Sequence, residues 1–410
     1  MPQCGRSRGV GLVAPSLALV LSLLATSAAH AEGVVLGESS RGTPVQVHGF
    51  VSQGFIKSTG NNYLGWTKRA QGSVKFTEVG INFTTQPTER LRIGTQLFAR
   101  ELGPMGNYNA KVDWLMLDYR WRDWLGIRAG RVKLPFGLYN DTSDIDSARV
   151  PVLLPSSVYP VTNRDFYLAQ SGFEIYGYVP LGSAGALDYR LYAGSIYLDI
   201  PPARGAPLQV TSVDNPYLVG ARLLWETPVE GLRIGGSIQP TRLNINAIAP
   251  QAMPPAAASL SLTAVLWVAS LEYAANDWLV AAEYGRIWTK NATSNPAVVP
   301  VIPMSMATEV IRTSEMGYLM AARRVFNWLQ PGAYFAFSFP DVDHRAERRD
   351  LMQLDGALTV RFDVNAHWLI KVEGHWMHGT AGLQSALNGT TLDRLTKDWM
   401  VFLLKTTAHF

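Results

Sequence analysis

Arg90-Leu91-Arg92-Ile93-Gly94-Thr95-Gln96-Leu97-Phe98-Ala99-Arg100 decides the fold class. Leu91, Ile93, Thr95, Leu97 and Ala99 share one parity, whereas Arg90, Arg92, Gln96 and Arg100 share the other. Successive side chains of a β-strand point to opposite faces, so this period of two describes a strand between two different solvents. The pattern returns near the other end of the chain. Leu354, Leu358, Val360 and Phe362 oppose Asp355, Thr359, Arg361 and Asp363; Trp368, Ile370, Val372 and Trp376 oppose His367, Lys371, Glu373 and His375.

Working outward from these segments gives about sixteen strands, at 45–56, 72–84, 89–101, 110–121, 123–134, 168–179, 185–199, 216–226, 229–243, 260–274, 278–290, 314–324, 327–339, 351–364, 367–379 and 397–410. Each is long enough for the ~9–11 tilted residues that cross a bilayer. Seven connections are short, at Gln86-Pro87-Thr88, Arg122, Leu181 to Ala184, Pro228, Asn276-Asp277, Phe326 and Asn365-Ala366. Eight are longer and polar or proline-rich, centred on 57–71, 102–109, 135–167, 200–215, 244–259, 291–313, 340–350 and 380–396. Strict alternation of short and long connections predicts an all-β transmembrane antiparallel barrel with both chain ends on the periplasmic side. Trp121, Trp124, Trp225, Trp278, Trp328 and Trp368 all lie beside short turns, where an aromatic belt meets one water–lipid boundary. Closure follows from physics, because hydrocarbon offers no hydrogen-bond partner to a free strand edge.

Composition agrees. Charged residues make up 17% of the chain, against about 25% in soluble domains. The charge-free stretch Ala247 to Leu271 is broken by Pro250, Pro254 and Pro255, so it is not one spanning helix. Residues 1–31 read as a cleaved signal peptide: Arg6 and Arg8, an apolar run from Val10 to Leu24, then Ala29-His30-Ala31. Residues 32–44 are then a short periplasmic segment and 45–410 the barrel. Cleavage would remove Cys4, the single cysteine, and would lower the formal net charge from +4 to +2. No nucleic-acid partner is indicated. The sequence offers no Gly-x-Ser-x-Gly elbow, His-Glu-x-x-His or P-loop, so no enzyme, cofactor or metal is expected. His375 and His378, three apart, fall on opposite strand faces and read as belt or lumen residues rather than metal ligands.

Two features carry a family resemblance. Met400, Phe402, Leu404, Thr406, Ala408 and Phe410 share one face of the last strand, which ends in an aromatic. This resembles the C-terminal signal by which bacterial porins are recognised for outer-membrane assembly, with Phe410 as the assembly residue. Arg128-Ala129-Gly130-Arg131-Val132-Lys133-Leu134-Pro135-Phe136-Gly137-Leu138-Tyr139-Asn140 resembles the segment entering the third loop of porins related to the phosphate-selective porins O and P. The resemblance implies a sixteen-stranded porin whose third loop folds into the lumen. It also implies outer-membrane lipid and lipopolysaccharide as surroundings, the barrel-assembly machinery as a partner, and a homotrimer. In that loop, about Pro135 to Tyr167, the candidate constriction residues are Asp141, Asp144, Asp146, Arg149, Arg164 and Asp165.

On strands with clean phase the candidate pore-lining bases are Arg90, Arg92, Arg100, Arg128, Arg190, Arg222, Arg233, Arg361, Lys371 and Lys405. The acids are Glu78, Asp188, Glu226, Asp355, Asp363 and Glu373. Such a wall leans positive, while the loop's aspartates oppose it, so the expectation is weak anion preference at most. Arg131 and Lys133 share parity with the lipid-facing Leu125 and Ile127; they lie at headgroup level or are turned inward by a bulge at Gly126 or Gly130. The expected function is a passive channel for small hydrophilic solutes. A selective channel for phosphate or organic acids and a plugged structural or adhesive barrel remain as rivals.

Overall fold

The structure is a computed structural model describing residues 34–38, 43–196, 209–249, 256–293, 309–345, 347–389 and 394–410. The segment 1–31 lies outside the described residues. A short strand, β1 (Val34–Glu38), precedes sixteen long ones: β2 (Pro44–Ser58), β3 (Phe76–Thr88), β4 (Leu91–Leu102), β5 (Lys111–Arg122), β6 (Leu125–Lys133), β7 (Ala169–Pro180), β8 (Ala186–Ser195), β9 (Gln209–Glu226), β10 (Leu232–Ala249), β11 (Ala256–Ala275), β12 (Trp278–Thr293), β13 (Glu309–Arg323), β14 (Leu329–Phe339), β15 (Gln353–Asn365), β16 (Trp368–Gly379) and β17 (Asp398–His409).

Each strand from β2 to β17 pairs antiparallel with the next, and β17 pairs back onto β2 through Phe50–Ser58. The sheet is thereby a closed barrel of sixteen strands, and no free edge faces the hydrocarbon. β1 pairs with Pro44–Val47 of β2, continuing the edge where β17 has ended.

Turns at one end of the barrel span two to five residues, and connections at the other end span six to thirty-five. Asn276 and Asp277 both take positive φ, as a two-residue turn between right-twisted strands requires. All sixteen strands expected from alternation are present. The main departure is at the long-connection end of β9 to β11. Pairing there continues from Gln209 and out to Ala249↔Ala256, so the ladder takes up much of the loops expected at 200–215 and 244–259. Polar side chains read as loop, yet a hairpin whose strands already pair can extend into water without exposing backbone donors.

The period of two now has a direction. Leu97, Leu115, Leu117, Ile127, Phe173, Leu223, Leu319, Phe335, Leu358, Phe402 and Leu404 point outward and are exposed. Gln96, Arg100, Asp118, Glu174, Arg222, Glu283, Lys371, Glu373 and Lys405 point inward and are buried. Five of the six turn-flanking tryptophans, Trp121, Trp124, Trp225, Trp278 and Trp328, are 39–52% exposed. Trp368 is partly covered and donates its indole N–H to Thr406 Oγ1 at 2.7 Å.

A charge on the outer face should therefore be costly. Leu117→Arg, in the outward row of β5, is expected to destabilise the lipid-embedded barrel by about 2–4 kcal/mol near the midplane. Arginine at the solvent-exposed Glu347 should cost little. Equilibrium unfolding of the two variants in lipid checks the contrast; equal costs would refute the assigned lipid face.

Candidate functional site: the inner wall and the β6–β7 connection

The connection from Leu134 to Leu168 is the longest in the barrel. It contains no long helix, only short helical turns at Asn140–Thr142, Asp146–Ala148, Val161–Asn163 and Arg164–Tyr167. Prolines 135, 151, 155 and 160 forbid a continuous ladder or helix. Its backbone is satisfied partly by its own turns and partly by side chains of the inner wall.

Those bonds reach strands on several sides of the barrel. Asp141 pairs with Arg190 of β8 at 2.6 Å and Arg222 of β9 at 3.4 Å. Asp144 accepts from Lys133 of β6 and Gln96 of β4, both at 2.6 Å. Asp146 lies 3.1 Å from both Lys371 of β16 and Lys405 of β17, and Thr407 donates to it at 2.7 Å. Arg361 of β15 donates to the Ser147 and Arg149 carbonyls at 2.6 and 3.2 Å. Glu373 of β16 accepts the backbone N–H groups of Val152 and Leu153 at 2.7 and 3.0 Å. Glu283 of β12 accepts from the Leu138 backbone and from the Tyr159 hydroxyl.

Burial of Asp144 and Asp146 would push their pKa up, but the cations win. Lys371, Lys405 and Arg149 hold Asp146 well below the usual carboxylate range. Lys133 and Arg164 do the same for Asp144. Both aspartates are therefore charged at neutral pH.

Apolar packing accompanies the ion pairs. Phe136, Leu138, Leu154, Val158 and Tyr159 pack with Leu266, Val268, Met316, Tyr318 and Met320. Val152 and Leu153 pack with Ile56, Phe76, Trp399 and Leu403. Leu134 packs with Tyr192, Leu218 and Leu243. Inward positions of these strands are thus more apolar than a bare aqueous wall needs, because the connection covers them.

The predicted residues divide clearly. Arg92, Arg100, Arg128, Arg190, Arg222, Arg233, Arg361, Lys371, Lys405 and Glu373 lie on the inner face. Arg128 pairs with Asp118 and Glu174 at 3.0 and 2.6 Å, and Arg233 with Glu272 at 2.5 Å. Lys405 also holds Glu78 at 2.7 Å, and Arg361 holds Asp363 at 2.8 Å. Asp188 meets Arg222 at 3.4 Å, and Glu226 accepts from Tyr178 at 2.8 Å. Asp355 and Glu373 hold His375 between them at 2.9 and 3.0 Å. His378 sits away from them, on Asp398 at 2.6 Å.

Arg90 is a correction. It stands in the exposed Glu89–Arg90 turn, outside the wall, because β4 begins only at Leu91. Asp165 stands apart from the other loop charges. Its pair with Lys111, at 3.3 Å, is half-exposed on both sides, so it does not join the buried network of the other loop charges. Arg149 pairs with Asp146 at 3.3 Å, and Arg164 pairs with Asp113.

Arg131 and Lys133 separate. Gly130 takes a φ of +119°, and β5 leaves β6 beyond Leu115↔Arg131. Arg131 donates to the Val112 and Asp113 carbonyls in that gap at 3.1 and 3.0 Å. Lys133 reaches inward to Asp144.

Sequence reasoning missed five buried inward acids: Asp113, Asp118, Glu174, Glu272 and Glu283. With them, the expected positive lean of the wall disappears. Glu272 was findable as the single charge in β11. Asp113 was not, because a register shift between Gln96 and Leu97 turns both Asp113 and Trp114 inward.

No family model matches the chain, and no curated protein matches it. Solved structures do. OmpT of Vibrio cholerae, an outer-membrane protein, matches at a TM-score of 0.56 and 10% identity, covering 92% of this chain and 100% of that one. An anion-selective porin from Comamonas acidovorans matches at 0.53 and 10% identity, over 90% of this chain and 100% of that one. The outer membrane channel DcaP of Acinetobacter baumannii matches at 0.51 and 10% identity, over 92% and 100%. At such identities the likeness concerns the fold: a sixteen-stranded porin-type barrel.

Proposed function

We propose that the chain forms a porin of the bacterial outer membrane, a passive channel for small hydrophilic solutes narrowed by the β6–β7 connection. One observation carries the reading. An apolar outer face surrounds a charged inner wall, and a single long connection bonds to that wall at β4, β8, β9, β12, β15, β16 and β17. A barrel meant only as a lipid anchor needs no buried charge inside. Transport in this reading follows the concentration gradient. It involves no enzymatic step, cofactor or metal.

The resemblance of the last strand to a porin assembly signal supports delivery by the barrel-assembly machinery, with Phe410 as its recognised end. Phe410 and Gly49 exchange backbone hydrogen bonds at 3.1 and 3.0 Å, so this residue also closes the barrel seam. A trimeric form of OmpT from Vibrio cholerae shares the fold at a TM-score of 0.50 and supports a homotrimer here. A monomeric mass in gentle detergent would count against it.

Planar-bilayer recording tests the main reading. Purified protein is expected to insert in discrete conductance steps. Stable insertion without conductance would favour the plugged barrel instead, for which the three apolar clusters inside the wall speak. Selectivity for phosphate or organic acids would show as block of chloride current by those anions. Pairing of wall charges with one another leaves the unpaired ones to set ion preference.

A further inference from the structure

Two cavities meet the inner face of β4. The larger, about 700 Å³, lies toward the short-turn end and is lined by Arg92, Gln96, Trp114 and Lys133, with Ile145–Ser147 of the connection. The smaller, about 60 Å³, lies further along the same strand at Arg100, with Glu78, Ser143, Asp144 and Arg164. Arg92, Gln96 and Arg100 follow one another on one face at intervals of about 13 Å.

A layer of side chains separates the cavities, and Asp144 is at its centre. Gln96 Nε2 donates to Asp144 Oδ2 and Lys133 Nζ to Asp144 Oδ1, each at 2.6 Å. Gln96 and Lys133 line the larger cavity and Asp144 lines the smaller, so these two bonds cross the layer. Asp113 completes it, accepting from Gln96 at 3.2 Å and from Arg164 at 2.9 Å. Elsewhere the connection meets the wall through apolar packing and ion pairs, of which Asp146 with Lys371 and Lys405 is fully buried and Asp141 with Arg190 is about 20% exposed.

We propose that solutes cross the barrel along the inner face of β4, and that the clasp of Asp144 by Gln96 and Lys133 is the gate on that route and its charge filter. The inference rests on the channel reading above. Closed, the clasp neutralises Lys133. Open, it leaves Lys133 in the same cavity as Arg92, whose guanidinium has no hydrogen-bond or ion-pair partner among the described residues. The charges facing the gate are then Lys133, Arg92 and Asp146 on one side, and Arg100, Arg149, Arg164, Glu78 and Asp113 on the other. That set favours small anions.

Single-channel recording in a potassium chloride gradient tests this. Asp144→Ala is expected to raise conductance at least about two-fold and move the reversal potential toward chloride, since lining charge sets ion preference. Asp144→Asn keeps the shape and removes the charge, so it should move the reversal potential with little change in conductance. Adding Arg92→Ala to Asp144→Ala should return the reversal potential toward wild type. Gln96→Ala loosens the same clasp from the wall side and should raise conductance without touching the connection, which covers a misfolded Asp144 variant.

A silent wild type with a conducting Asp144→Ala would place the closure at this clasp. A conducting wild type with folded Asp144→Ala and Gln96→Ala variants of unchanged conductance and selectivity would overturn the gate and leave the channel standing. Silence of every variant would overturn the channel reading and the gate with it.

Discussion

Asp146→Ala is expected to be the most damaging single substitution inside the barrel. Asp146 is the shared counter-ion of Lys371 and Lys405, two lysines whose side chains are fully buried. It also accepts from Thr407 and Arg149. Removing one partner of a buried pair costs about 3–5 kcal/mol, because the remaining charge stays desolvated and unpaired. Here two cations are left, and Lys405 keeps the Glu78 carboxylate and the face of the Phe76 ring. Loss of the barrel's resistance to heat in detergent, read as a gel-mobility shift, measures the effect. Asp146→Asn should be nearly as harmful, since charge rather than shape is removed. A variant that melts with wild type would mean that the lysines find other partners at no cost.

The same residue gives an acid dependence with a definite sign. The folded pKa of Asp146 is depressed, so its contribution is fully present above the unfolded aspartate value, about 3.9. It is lost as pH falls through the lower, folded value. Measurements at neutral pH therefore see all of it, and wild type and Asp146→Ala should converge in stability only in strong acid.

Glu283→Ala is expected to have the second largest effect, and a local one. Glu283 accepts from Ser270 at 2.6 Å, Tyr318 at 2.8 Å, the Leu138 backbone at 3.0 Å and Tyr159. The Tyr159 hydroxyl also receives the Leu138 and Tyr139 backbone N–H groups, so the cluster pins the first turn of the connection. Alanine leaves several buried donors without an acceptor, at about 1–3 kcal/mol each before relaxation. The barrel wall should survive, because its ladder is untouched. The connection should loosen, giving protease cleavage between Phe136 and Tyr159 and noisier conductance steps. Glu283→Gln keeps an acceptor at the same place and should be milder. Cleavage no faster than in wild type would show that the apolar cluster alone fixes this stretch.

The contrast between these two residues marks what could be read in advance. Asp146 was visible as a charge in a proline-rich connection, but its partners were not. Lys371 and Lys405 are separated from it by more than two hundred residues and meet it only through barrel closure. Glu283 was passed over, since β12 also carries Arg286 and Lys290 on the opposite parity and so shows no clean phase.

The sequence by itself determined the barrel. The side-chain period of two, the alternation of short and long connections and the tryptophans beside the short turns all follow from local chain geometry and from the two solvents the strands must face. Those constraints act within a dozen residues, so they are legible along the chain, and all sixteen long strands stand where alternation put them. Tertiary structure alone decided the inside. A connection has no period, and its course depends on which wall groups need partners across the lumen. That is why Arg90 fell in a turn, why Asp113 turned inward at a register shift and Lys133 reached inward past the end of the β5–β6 pairing, and why the wall's positive lean was cancelled by five unseen acids. Charges on cleanly alternating strands could be given a side, whereas the five missed acids could not all be read from alternation. The pairing of the inner charges is a property of a closed cylinder, in which strands far apart in sequence face one another at hydrogen-bond distance.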